Sequence, residues 1–165
     1  MPDPELTREQ LIAHIRDLND EIKALRQRLD EADWVEDSLK RRTRQLNERM
    51  KELDCAFGAL TLARRRGPKE ERLQQIVALL PEAMYHPRSA CAQAVLDGRA
   101  YSTPGFATAG PSIAVPVQAH GRSAGRLEVR YRDRHPDVDE GPFLREERAL
   151  LQVVAECLGL VLETP

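Results

Sequence analysis

A leucine recurs every seven residues over the first third of the chain, and this repeat constrains the fold more than any other feature. An apolar seven-residue repeat that lasts for about seven heptads produces a helix that wraps around another helix. The d positions are Leu11, Leu18, Leu25, Ala32, Leu39, Leu46, Leu53 and Leu60, and the a positions are Ile15, Ile22, Leu29, Glu36, Thr43, Met50 and Phe57. We therefore predict a coiled-coil dimerisation helix over residues 1–63.

The residue types in this repeat favour two parallel strands. Isoleucine at a, combined with leucine at d, is typical of a parallel dimer. In an in-register parallel pair, each g residue faces the e residue five positions later in the partner. Three such pairs have opposite charges, each contributing a few tenths of a kcal/mol: Glu21 with Arg26, Arg28 with Asp33, and Arg49 with Asp54. A parallel homodimer is expected, although a higher oligomer and an antiparallel pair stay open.

The middle of the repeat is weaker than its two ends. Ala32 is small, Glu36 lies at an a position and Thr43 lies at the next. These residues either set the register of the dimer or form a segment that shifts between two packings. Trp34 falls at f, the outward face, where it is a candidate anchor for a separate protein. Its indole also fits a simpler arrangement, in which it lies along its own helix.

Composition limits the function class. The net charge of −2 has both signs interspersed, which is not typical of a nucleic-acid binder. No apolar run is long enough to cross a membrane, and the acidic N-terminus does not resemble a signal peptide. The odd number of cysteines, Cys55, Cys91 and Cys157, fits a reducing cytoplasm better than a disulfide framework.

The second half of the chain predicts an α+β domain over residues 64–165. It begins with a helix from about Lys69 to Met84, in which Pro81 either ends the helix or begins its last turn. After this helix, apolar residues recur at every second position, as they do in β-strands. Asp97-Gly98 indicates a first hairpin, residues 104–111 a loop, and residues 120–123 the turn of a second hairpin. A closing helix is expected from Phe143 to about Leu162. Gly67 is predicted to cap the first helix, beside Arg64–Arg66.

Three strings in this half resemble GAF domains, a family of sensory modules. They are IAVPVQAHGRSAGRLEVRY, similar to the central GAF hairpin, FLREERALLQVVAECLGLVLE, similar to the closing helix, and LNERMKELDCAFGA, similar to the helix that joins a sensor to an upstream signalling helix. The resemblance covers residues 46–163 and is closest to compact sensory modules found before histidine kinases. It implies a GAF-like antiparallel sheet with helices on one side, and a partner such as a histidine kinase or another regulatory kinase or ATPase.

Residues for chemistry or ligand binding are sparse. The Cys-His pair of bilin-binding GAF domains and the motif of cyclic-nucleotide-binding ones are not visible, so no cofactor is expected. Cys91 and His120 are the candidate ligand-contacting positions. A metal site from Cys91, His86 and His120 would need their turns to converge, and no ligand spacing supports one. No nucleophile or general-acid motif is present, so we expect no enzyme.

The sequence thus favours a cytoplasmic, non-enzymatic signalling or adaptor protein. It would be a coiled-coil-dimerised GAF-like regulator of a separate protein, with no nucleic acid or membrane as partner. The alternative is a structural scaffold whose GAF-like domain is a ligand-free interaction or dimerisation unit. The residues assigned to dimerisation or partner binding are Leu11, Ile15, Leu18, Ile22, Leu25, Leu29, Trp34, Leu39, Leu46, Met50 and Leu53.

Overall fold

The structure is a computed structural model that describes residues 7–106 and 110–164. These residues form an α+β protein with one long helix, a four-stranded antiparallel sheet and two further helices. In chain order the elements are α1 (Arg8–Arg64), α2 (Lys69–Ala83), β1 (Ala90–Leu96), β2 (Arg99–Ser102), β3 (Ser112–Ala119), β4 (Arg122–Tyr131) and α3 (Arg145–Glu163). Residues 1–6 of the predicted coiled-coil helix, residues 107–109 of the predicted loop and residue 165 of the predicted α+β domain lie outside the described residues.

The predicted capping box begins α1. The backbone N–H of Thr7 donates to Oε1 of Gln10 at 2.8 Å, and the N–H of Gln10 donates to Oγ1 of Thr7 at 3.4 Å. These bonds satisfy two backbone donors that a helix N-terminus otherwise leaves unpaired.

The chain divides into two units, one up to Leu46 and one from Asn47 onward. In the described part of the first unit, residues 7–46, every residue except the half-buried Ser38 is exposed. In the second unit, α1 contributes Cys55, Ala59 and Ala63 to a hydrophobic core. The last turns of the predicted coiled-coil helix therefore also belong to the second unit, which is called the compact unit below.

The four strands are ordered β2-β1-β4-β3. The Asp97-Gly98 hairpin is as predicted, with positive φ at both turn residues and Leu96 paired with Arg99. The second turn is shorter than the predicted residues 120–123. His120 and Gly121 both have positive φ, and two such residues complete the turn, so β4 begins at Arg122.

One face of the sheet packs against the helices. Alternate residues of each strand point to this face, and they are mainly aliphatic. They are Ala90, Ala92, Ala94 and Leu96 in β1, Ile113, Val115 and Val117 in β3, and Leu127, Val129 and Tyr131 in β4. Buried residues of α2 and α3, such as Ile76 and Val154, belong to the same core.

One helix end agrees with the sequence-based expectation and another differs from it. The α2 helix continues past Pro81 to Ala83, so Pro81 begins the last turn, which is one of the two expected alternatives; a proline there removes only one helical hydrogen bond. The end of α1 is capped by a side chain of α2, because Nη1 of Arg72 donates to the carbonyl oxygens of Ala63 and Arg65 at 3.2 and 2.9 Å. Gly67, expected to be the capping residue, lies beyond these carbonyls.

None of the helices in the described ranges combines the length and apolarity needed to cross a bilayer.

Candidate functional site

The apolar face of the heptad repeat is exposed in the single chain. Its side chains keep between 44% and 73% of their accessible surface. They are Leu11, Ile15, Leu18, Ile22, Leu25, Leu29, Leu39, Leu46, Met50, Leu53 and Phe57. Scattered exposed apolar residues are normal, but a contiguous apolar face marks an interaction surface. This heptad face is the main candidate site.

The weak centre of the repeat carries an ion pair within its own helix. Nζ of Lys40 lies 2.6 Å from Oε1 of Glu36, and both side chains are more than half exposed. The Glu36 carboxylate at a therefore has a cation beside it at e. Trp34 is 67% exposed on the neighbouring outward position. Most of the indole surface is therefore exposed.

Several charged residues beside the heptad face form no ion pair within the described part of the chain. Among the described residues, none of the six g and e side chains named above forms an ion pair with another part of the same chain. They remain available for pairing between chains.

The candidate ligand position Cys91 is buried in the sheet. Because side chains alternate along β1, Cys91 lies on the face opposite Ala90 and Ala92. Its Sγ is 3.5 Å from the carbonyl oxygen of Arg130, the residue paired with it in β4. A thiol in this position is a packed side chain of the sheet.

The other candidate, His120, is exposed in the turn between β3 and β4. Its backbone N–H donates to Oε1 of Glu163 at 2.7 Å, which joins the turn to the end of α3. Cys91 pairs near the end of β4, whereas His120 precedes the start of that strand, so the structure does not bring them together. Within the residues described, no three metal-ligating side chains form a cluster.

A histidine pair that sequence reasoning missed lies at the other end of the sheet. The rings of His86 and His135 are stacked with centroids 3.7 Å apart and 6° between their planes. Both contact the ring of Tyr131 edge-on. Burial lowers the pKa of His86, and the neighbouring His135 lowers it further, while the carboxylates of Glu147 and Glu48 oppose the shift. His86 therefore favours the neutral imidazole.

A buried carboxylate, also missed, connects α3 to the sheet. Glu147 is 1% exposed, and its Oε1 accepts from the Tyr131 hydroxyl at 2.5 Å and from the Tyr85 N–H at 2.9 Å. Its Oε2 accepts from the Leu144 N–H at 2.6 Å. The sequence held a signal for it, because Glu147 precedes Leu151 by four residues and so occupies the apolar face of an amphipathic helix.

The outer face of the sheet carries charge rather than an apolar pocket. Glu128 is buried between two arginines of its own strand, in ion pairs with Arg126 and, at 2.6 Å, with Arg130. Alternation along β4 places all three on the face opposite the helices. An ion cluster of this kind is a structural feature of the sheet surface.

Comparison with known proteins gives no assignment. The chain matches no protein-family model, and a search of curated proteins finds no similar sequence.

Proposed function

We propose that this protein is a non-enzymatic signalling or adaptor protein that acts as a parallel coiled-coil homodimer and regulates a separate protein. The observation that carries the proposal is the exposed heptad face of α1. Each Å² of apolar surface removed from water contributes about 25 cal/mol, so a face of this length favours association. The heptad spacing of the face suits a helix of the same kind.

The heptad face is self-complementary, so the partner helix is a second copy of the same chain. A two-fold pair of identical chains places each a and d residue beside its own copy. The unused charges at g and e then meet opposite charges in the parallel arrangement. A second copy of this chain satisfies both the apolar face and its charged flanks.

We further propose that the unit from Asn47 onward is a GAF-like regulatory module. The order helix, hairpin, hairpin, helix supports this, together with the sequence resemblance. Because α1 carries both the heptad face and the core residues Cys55, Ala59 and Ala63, a change in the module would alter the packing of the coil. The three free cysteines support a cytoplasmic location.

The regulated protein would bind beside Trp34. An exposed tryptophan next to Arg41 and Arg42 offers an aromatic anchor with cationic neighbours, the residue types that dominate interface energetics. The class of partner, a histidine kinase or another regulatory kinase or ATPase, rests on the GAF resemblance. Loss of capture of such a kinase or ATPase on Trp34→Ala, with the homodimer intact, is the expected result, and unchanged capture contradicts the docking proposal.

The homodimer is tested by light scattering of the full chain. We expect twice the 18.7 kDa mass of one chain. The double variant Leu18→Glu/Leu25→Glu places charges on the heptad face and should shift the protein to monomer. Ala13→Glu/Ala24→Glu adds the same charge at outward f and c positions and should stay dimeric. A monomeric unmodified chain, or equal loss in both variants, contradicts the proposal.

A second candidate function is a structural scaffold whose GAF-like unit binds no ligand. The outer-face ion cluster of Arg126, Glu128 and Arg130 favours it, because small-molecule sites are lined mainly by apolar side chains and this part of the described sheet surface is charged. Native mass spectrometry separates the two candidates. A retained small molecule, or a thermal shift with a metabolite, supports the sensor, and their absence with a partner bound supports the scaffold.

A further inference from the structure

The closing helix α3 carries an exposed apolar stripe of its own. Val153 and Leu160 are 43% and 44% exposed, and they are seven residues apart. Each follows a buried residue by three positions, Leu150 and Cys157. The four residues are therefore separated by three, four and three positions, which is the spacing of a short coiled-coil seam. Leu150 and Cys157 of this seam are buried, whereas Val153 and Leu160 are exposed.

This stripe borders the part of α3 that packs in one hydrophobic core with α1, because its buried members Leu150 and Cys157 belong to the same core as Cys55 and Ala59 of α1. Glu146 precedes Val153 by seven residues and so shares its helix face. Burial raises the pKa of Glu52 on α1, the Arg49 guanidinium opposes the shift, and the carboxylate of Glu146 adds to it. Glu146 is therefore a close neighbour of α1, and the stripe that continues from it runs along the same side.

The part of α1 in this unit also carries exposed apolar residues. Leu53 and Phe57 are 68% and 73% exposed, and they continue the phase of the heptad repeat. The two helices point the same way, since Nζ of Lys69, just after the end of α1, donates to the carbonyl oxygen of Leu162 near the end of α3 at 3.2 Å. Each of these two parallel helices therefore has an exposed apolar stripe with the seven-residue spacing that suits packing against further helices.

We propose that α3 is part of the dimer interface, so that a second copy of this chain buries Val153 and Leu160 together with Leu53 and Phe57. The proposal rests on the homodimer proposed above. In a parallel dimer, the heptad phase turns Leu53 and Phe57 toward the partner, and the α3 stripe turns the same way. The interface then contains two helices from each chain, in the manner of a four-helix bundle.

Thiol labelling of the full chain tests this placement. The three native cysteines are buried, so an introduced cysteine is the fast-reacting site. Val153→Cys is labelled with a maleimide in the dimer and in the Leu18→Glu/Leu25→Glu background, with the mass of each measured alongside. We expect labelling about tenfold slower in the dimer, because access controls thiol reactivity. Ala100→Cys, on exposed strand β2, should react equally in both.

The outcomes separate this inference from the homodimer itself. A dimer in which Cys at 153 reacts as fast as Cys at 100 overturns the α3 interface and leaves the homodimer in place. An unmodified chain that is monomeric overturns both. If the Leu18→Glu/Leu25→Glu chain stays dimeric with Cys at 153 protected, the α3 surface itself holds the dimer, and the inference is supported.

A matched pair of charge variants gives an independent readout. Val153→Glu places a carboxylate in the interface and should weaken dimerisation by about tenfold or more. Gln152→Glu adds the same charge at the adjacent exposed position and should leave the dissociation constant within about twofold. Equal effects of the two variants would contradict the proposal.

Discussion

The hydroxyl of Tyr131, at the end of β4, donates a hydrogen bond to Oε1 of Glu147 on α3 at 2.5 Å, and both side chains are buried. Burial and the hydrogen bond to Glu147 both raise the pKa of the Tyr131 hydroxyl, so it stays protonated as a donor. Because Glu147 also accepts from the backbone of Tyr85 and Leu144, this carboxylate fixes the start of α3 against the sheet.

Removing this hydroxyl should destabilise the compact unit. Tyr131→Phe leaves a buried carboxylate oxygen with one donor fewer, which costs about 1–3 kcal/mol of unfolding free energy. Urea denaturation followed by circular dichroism measures the change. Tyr101→Phe is the control, since its half-buried hydroxyl makes no hydrogen bond among the described residues, and it should change stability by less than about 0.5 kcal/mol. Equal losses in the two variants would count against the network.

The stacked histidines should make stability depend on pH. The pKa of His86 is lowered in the folded protein, so the unfolded chain binds its proton more readily. Stability is then complete above the ordinary histidine pKa, about 6.5, and falls as the pH drops through the lowered value. The urea midpoint of the full chain should decrease between about pH 7.5 and 5.5.

His86→Gln should flatten this slope, because it removes the group that must be protonated on acidification. His14→Gln, on the exposed first unit, should leave the slope unchanged. Identical slopes in the unmodified chain and in His86→Gln would show that the stacked pair does not control the acid response.

Local signals in the sequence were enough to predict the regular elements. The heptad repeat predicted α1, Thr7 and Gln10 predicted its N-terminus, and Asp97-Gly98 predicted the first hairpin, because each depends on residues within a few positions. The long-range contacts could not be predicted this way. Two partners of Glu147, Tyr85 and Tyr131, are distant from it in the sequence, and their meeting depends on how the strands and helices pack.

A glycine in α3 marks one of these long-range contacts. A Cβ at Gly159 would lie 2.2 Å from the carbonyl oxygen of Gln118 in β3, and a backbone atom in a sheet cannot move aside. Gly159→Ala should therefore cost about 2–4 kcal/mol despite the better helix propensity of alanine. Thermal and urea unfolding measure the loss.

Gly58 in α1 is the matched helical control. Its Cβ would lie 3.1 Å from Cδ1 of Leu79, the end of a half-buried and flexible side chain. Leu79 can shift, and the propensity gain of up to about 1 kcal/mol offsets the contact. Gly58→Ala should be at least about 2 kcal/mol more stable than Gly159→Ala, and a reversed order would disprove the close approach of α3 to β3.

The parallel orientation can be tested by exchanging charges. In a parallel in-register dimer, Glu21→Arg replaces two symmetric attractive pairs by repulsion from the Arg26 of the partner. The dimer should weaken by about 1 kcal/mol, or about fivefold in dissociation constant. The double variant Glu21→Arg/Arg26→Glu restores both pairs, and sedimentation equilibrium should show near-normal affinity. An antiparallel dimer faces g with g and e with e, so failure of the exchange to rescue binding would contradict the parallel arrangement.

The fluorescence of Trp34 can test the phase of the heptad repeat. Because it is the only tryptophan in the chain, acrylamide quenching of its fluorescence reports on this residue alone. At an outward f position it should be quenched equally in the dimer and in the Leu18→Glu/Leu25→Glu variant. In Trp34→Phe/Leu39→Trp the reporter moves to a d position, where dimerisation should protect it, since d residues pack between the helices. Protection of Trp34 itself on dimerisation would mean that the outward face takes part in the self-association of the chain, and that the repeat does not pack as its heptad phase predicts.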